Sequence, residues 1–226
     1  MRRTFFLILT ALLALPAFSQ RNVDYGASLG VTNYLGDINH GNLLYRPRPA
    51  GQLFVRYNFN QRQALRLNLL AGYVSASDLD FKNPVQQLRA HSFESTVEEL
   101  GLNYEFNFFP YSTEMGRKID YTPYLAAGIA VSAVGTNGFT IFPSVPFSVG
   151  MKVNVYRNIG IEAEYGFRKT FYDNFDGLKD DIDPNDYTWT HNNDWYTFFG
   201  VGITWKMYNR NAGCPAFKEK NDKRKK

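Results

Sequence analysis

The stretch Ser144 to Thr170, SVPFSVGMKVNVY-RN-IGIEAEYGFRKT, decides the fold. Val145, Phe147, Val149, Met151, Val153 and Val155 alternate with Pro146, Ser148, Gly150, Lys152 and Asn154. Arg157-Asn158 is a tight turn, after which Ile159, Ile161, Ala163, Tyr165 and Phe167 alternate with Gly160, Glu162, Glu164, Gly166 and Arg168. Successive side chains of a strand point to opposite faces, so this is a hairpin with one apolar face and one small, polar and charged face. A soluble sandwich turns its polar face to water and favours Thr, Ser and Lys there. Glycines mixed with charges of both signs fit a crowded interior instead. Apolar outside and polar inside is the arrangement of a membrane-spanning barrel.

The same two-residue period recurs on either side of the hairpin. Outward sets are Val23 to Val31, Leu53 to Phe59, Leu65 to Tyr73, Leu100 to Phe108, Pro123 to Val131 and Phe199 to Trp205, each taken at every second residue. With the hairpin they make eight strands, each long enough for the roughly 9–11 residues a tilted membrane strand needs. The expected fold is all-β, an eight-stranded antiparallel transmembrane barrel of the outer-membrane type. Expected loops are Gly36 to Pro49, Ser75 to Ser92, Gly135 to Gly138 and Tyr172 to Asn193, with generally short turns after strands two, four and six. In outer-membrane barrels short turns lie in the periplasm and longer loops outside, which places both termini in the periplasm. Tyr57, Phe59, Phe106, Phe108, Tyr121, Trp195 and Trp205 stand near strand ends and should supply two aromatic girdles. A soluble lipocalin-like barrel would carry the reverse face chemistry.

The ends of the chain fit export. Arg2 and Arg3 precede the apolar run Phe5 to Leu15, and Ala17-Phe18-Ser19 resembles a cleavage site, so residues 1–19 read as a signal peptide cut before Gln20. The barrel then occupies 20–208 and a basic tail 209–226. Mean hydropathy is −0.35, and past the N-terminus no apolar run reaches the roughly 18 residues of a helical span. Barrel strands carry a far weaker hydropathy signal, so a membrane protein is not excluded. The net charge of +4 comes partly from Lys218 to Lys226; in an exported chain that tail argues against nucleic acid as a partner.

Eight strands enclose an interior that side chains can just fill. Arg56, Arg66, Lys152, Arg168 and Lys206 should point inward and face Glu99, Glu105, Glu162 and Glu164. Buried charges left unpaired cost several kcal/mol each, so these residues are expected to form a satisfied network that plugs the lumen. A charged conduction path is the alternative. His40, His91 and His191 all fall in loops, and His91-Ser92 is adjacent rather than spaced as nucleophile and base, so no catalytic site is expected. Asp173, Asp176, Asp180, Asp181 and Asp183 could offer oxygen ligands to calcium, but the spacing is not that of a calcium-binding loop. No cofactor, metal or small-molecule substrate is expected.

Tyr25-Gly26-Ala27-Ser28-Leu29-Gly30 running into Tyr34-Leu35-Gly36-Asp37, together with Gly213-Cys214-Pro215 after the last strand, resembles the PorG-like outer-membrane barrels of the Bacteroidetes type IX secretion system. The resemblance implies a non-enzymatic component set among outer-membrane lipids and associated with a periplasmic ring lipoprotein and its partner protein. A small porin or a lipid-A-modifying surface enzyme is the alternative. Cys214 is the only cysteine. It cannot form an internal bridge, which leaves a free thiol or an intermolecular one in an oxidising compartment. The resemblance favours a bridge to a ring protein, with Cys214-Pro215 as the contact.

Overall fold

The computed structural model describes residues 23–36, 38–39, 42–111, 121–135, 139–156, 158–171 and 194–207. Eight strands follow in order: β1 (Val23–Leu35), β2 (Arg48–Asn58), β3 (Gln63–Ser77), β4 (Ser92–Asn107), β5 (Tyr121–Val134), β6 (Thr140–Tyr156), β7 (Ile159–Thr170) and β8 (Trp195–Met207). Each pairs antiparallel with the next, and β1 pairs with β8 to close the barrel. A closed barrel has no free edge, so every strand finds its hydrogen-bonding partner within the sheet.

The pairing fixes the geometry. From Val23 the register runs through Tyr57, Leu65, Tyr104, Ala127, Phe147, Phe167 and Thr197 and returns to Asn33, ten residues further along β1. Strands staggered in this way tilt by about 40°, and at about 3.3 Å per residue the outward apolar side chains fill a belt of roughly 25 Å. That is the height of the apolar band on a membrane barrel. The two faces separate as the alternation demands: β4 reads exposed-buried without a break along its length. Leu29 (79% exposed), Ile129 (71%) and Trp205 (64%) face out, whereas Arg66 and Glu105 are fully buried.

Several boundaries differ from expectation. The stretch from Ser75 to Ser92 is not one loop. β3 continues to Ser77, a 3-10 turn covers Asp78–Asp80, the short helix α1 covers Pro84–Arg89, and β4 begins at Ser92. β2 likewise starts at Arg48, inside the expected loop. The expected alternation of short and long connections fails at two places: the connection after β5, 135–139, is short, as the expected Gly135 to Gly138 loop already was, and the one after β4, 108–120, is long. Of the seven expected girdle aromatics, six gather at the rim carrying the β2–β3 and β6–β7 turns. There Tyr57 meets Phe59 and Phe106 meets Phe108 edge to face. Trp195 alone stands at the opposite rim, where β8 begins.

Candidate functional site

Among the described residues charged side chains converge in the lumen, and all nine expected charges are in it. Arg56, Arg66, Glu99, Glu105, Lys152, Glu162, Glu164, Arg168 and Lys206 are each at most 4% exposed. Glu105 is the hub. It accepts a hydrogen bond from Arg56 Nε at 2.7 Å and another from Lys152 Nζ at 2.5 Å, and lies 3.1 Å from Arg66 Nε. Arg56 also reaches Glu162 at 2.7 Å, and Arg66 pairs with Glu164. Nearer the opposite mouth, Arg168 Nε donates to Glu99 at 3.2 Å. Excess charge of either sign here would lack solvent to neutralise it, so pairing is what permits burial.

One member escaped the sequence reading. Asp24 is 2% exposed, stands opposite Lys206 in the β1–β8 register, lies 3.8 Å from Arg56 and accepts from Asn58 at 2.9 Å. With it the five buried lumen cations face five carboxylates. Tyr124 and Tyr196 complete the network, donating to Glu164 at 2.7 Å and to Glu99 at 2.6 Å. Phe54 crosses beneath the guanidinium groups of Arg56 and Arg66, 4.9 and 5.5 Å from its centroid. Gly26 leaves the space for it: a Cβ there would fall 2.0 Å from the ring.

Both mouths are covered. Toward the end where β3 and β4 extend, the lumen turns apolar, filled by Leu70, Val74, Val97, Phe142 and Phe198 with Tyr34 and Ile38 packed over them. The Tyr34 hydroxyl donates to Asp194 at 2.5 Å across the seam of first and last strands. Gly36 passes so close that a Cβ would meet both groups within 2.3 Å, which accounts for Tyr34 and Gly36 in the first-strand motif. Gln86 of α1 donates to the Ile38 carbonyl at 2.9 Å and ties the two neighbouring connections together. At the other mouth Tyr111 folds inward from the β4–β5 connection, its N–H donating to the Gln61 carbonyl at 2.9 Å and its ring 3.7 Å from Lys206 Nζ.

Outside the lumen, Asp78 is buried at the turn that joins β3 to α1. Its two oxygens accept from Arg89 at 2.6 and 2.8 Å and from the His91 backbone N–H at 3.1 Å. Asp37, His40, His191, the aspartates between 173 and 183, Cys214 and Pro215 lie outside the described residues.

An eight-stranded barrel of the outer-membrane type, with paired charges in its interior and both mouths covered, is the class that fold and lumen define. Within it the chain belongs to the DUF6089 family, a domain of unknown function whose model matches residues 2–216. Among solved structures it is similar to Neisserial surface protein A, at 12% identity and TM-score 0.55, over 82% of this chain and 97% of that one. Others are Ail, the attachment invasion locus protein of Yersinia pestis (12%, TM-score 0.42, over 82% and 99%), and the N-terminal barrel domain of Pseudomonas aeruginosa OprF (14%, TM-score 0.42, over 82% and 98%). At such identities the likeness establishes the fold. No curated protein matches by sequence.

Proposed function

We propose that this protein is an integral outer-membrane barrel with periplasmic termini that serves as a non-conducting, non-enzymatic anchor. Within the type IX secretion machinery that its first-strand motif and Cys-Pro tail resemble, it holds the periplasmic ring lipoprotein and its partner protein to the membrane. The lumen is the observation that supports an anchor: among the described residues ten charged side chains, five of each sign, are buried in it, and eight strands enclose an interior that side chains can just fill. A barrel that neither conducts nor catalyses acts through what it holds, and its surfaces and tail are what it offers. Cys214 is the residue through which a covalent tether would form: its thiol and a partner's thiol join as a disulfide by giving two electrons and two protons to the disulfide-forming oxidant of an oxidising compartment.

The test is purification of the tagged native protein from gently solubilised membranes. Recovery of the ring lipoprotein and its partner in stable amounts is expected, with a larger adduct on a non-reducing gel that Cys214→Ser abolishes. A barrel recovered alone, together with a change in lipid-A mass when the protein is deleted in a separate strain, returns the enzyme reading in its place.

A further inference from the structure

The outward face of the β5–β6 hairpin stays apolar above the membrane belt. Because the register climbs ten residues in one circuit, each step from strand to strand rises by a little over one residue. With that climb removed, Glu98 on β4 and Lys169 on β7, which flank the hairpin on its two sides, fall at one level. These two polar outward residues mark the upper edge of the belt beside the hairpin. On β6 the edge is crossed without a polar residue: Ile141 stands roughly 7 Å above it, and Phe139 is higher. They are 62% and 69% exposed. Ala133 of β5 pairs with Ile141, Pro143 lies below, and Phe171 joins them, its N–H donating to the Pro143 carbonyl at 3.2 Å. An exposed apolar patch at headgroup level has no lipid tails to cover it and marks an interaction site.

We propose that this face is the contact between two copies of the barrel, a reading that rests on the protein being membrane-embedded. The patch is continuous with the lipid-facing belt below it on the same two strands. A cover that stands beside the barrel in the bilayer and rises to the same height suits it, and a second copy does so by construction. Two copies inserted in one orientation are related by a two-fold axis along the membrane normal, so patch meets patch. The flanks fit that symmetry. Glu98 lies on the β4 side and Lys169 on the β7 side at one level, and the axis turns each Glu98 flank toward the partner's Lys169 flank. Opposite charges then face each other on both sides of the contact, which favours this pairing over a like-charged one.

The experiment co-expresses two differently tagged full-length copies and captures one tag after outer-membrane fractionation and mild solubilisation. Capture of the second tag is expected. Ile141→Asp, placed above the belt so that insertion is spared, should cut it at least tenfold while the barrel keeps its heat-modifiable mobility. Lys169→Glu should weaken capture, and the charge-swapped Glu98→Lys/Lys169→Glu chain should restore it. Absence from the outer-membrane fraction would sink the membrane reading itself, before the pairing is asked. In a membrane-located barrel, no mixed-tag capture, capture untouched by Ile141→Asp, no restoration by the swap, or loss of a different protein on Ile141→Asp would each overturn the two-copy contact.

Discussion

At the scale of single residues, position in the network matters more than charge type. Glu105 faces three cations, so Glu105→Ala leaves Arg56, Arg66 and Lys152 with too little negative charge around them. Removing one partner of a buried ion pair typically costs about 3–5 kcal/mol, and the Glu105 variant should unfold in detergent at correspondingly lower temperature or urea concentration. A thermal shift no larger than that of an exposed Lys82→Ala control would contradict the hub role. Outside the membrane, Asp78 makes a pH-dependent brace. Burial pushes its carboxyl up, but the paired hydrogen bonds from Arg89 and the His91 N–H outweigh this and hold it below the ordinary aspartate value. A depressed carboxyl contributes stability above the unfolded value of about 3.9 and loses it as pH falls through the folded one. Amide-exchange protection over residues 78–91 should therefore hold from neutral pH to about 4 and collapse below that. Arg89→Gln should weaken it at every pH.

At the scale of the strand, the alternation makes a register prediction. Leu67, Leu102, Val149, Ile161 and Val201 share outward parity and are 48, 41, 45, 41 and 51% exposed. Arginine at any of these mid-belt sites should cost roughly 2–4 kcal/mol, and spin labels there should report lipid rather than water. A water-like signal would mean the register is off by one. This parity was legible in the sequence wherever glycine or charge alternates with an apolar residue, as along β6 and β7. It was not legible where two apolar residues adjoin. Leu69-Leu70 and Phe198-Phe199 each send one side chain to lipid and one to the plug, and polarity cannot tell them apart. The apolar closure of the lumen was hidden for that reason. The extension of β3 past Tyr73 was missed because Ser75 and Ser77 read as loop residues, and the start of β4 before Glu99 because Ser92, Glu94 and Thr96 are polar at every second position. They are in fact strand residues held by pairing and braced by Arg48, which donates to Ser75 and pairs with Glu94. Helix α1 is too short to show a period. Asp24 sits alone among Gly and Ser on β1, and only the cross-strand register reveals its cations.

At the scale of the whole molecule, the connections outside the barrel and the lumen within it are predicted to be chemically silent. His40, His91 and His191 changed together to alanine should leave lipid A unaltered and export intact, as read by lipid-A mass spectra and by culture-supernatant proteins. Loss of either in a normally assembled barrel would contradict the non-enzyme reading. Silence of the lumen follows from three closures in series. Tyr111 covers one mouth, the paired charges centred on Glu105 fill the middle, and the apolar cluster of Leu70, Val74, Val97, Phe142 and Phe198 fills the other end. An ion crossing them would have to displace Tyr111 from Lys206, break at least one buried pair and then pass the packed side chains of Leu70, Val74, Val97, Phe142 and Phe198. Barriers in series do not share a load, and the highest of them sets the current. The purified protein in planar bilayers is therefore expected to give no stepwise conductance. Opening one end should change nothing: Leu70→Ala with Phe198→Ala enlarges the apolar end but leaves the charged layer and Tyr111 in place. Discrete conductance steps in the wild-type protein would show that the lumen is a path, and the anchor reading would give way to a porin.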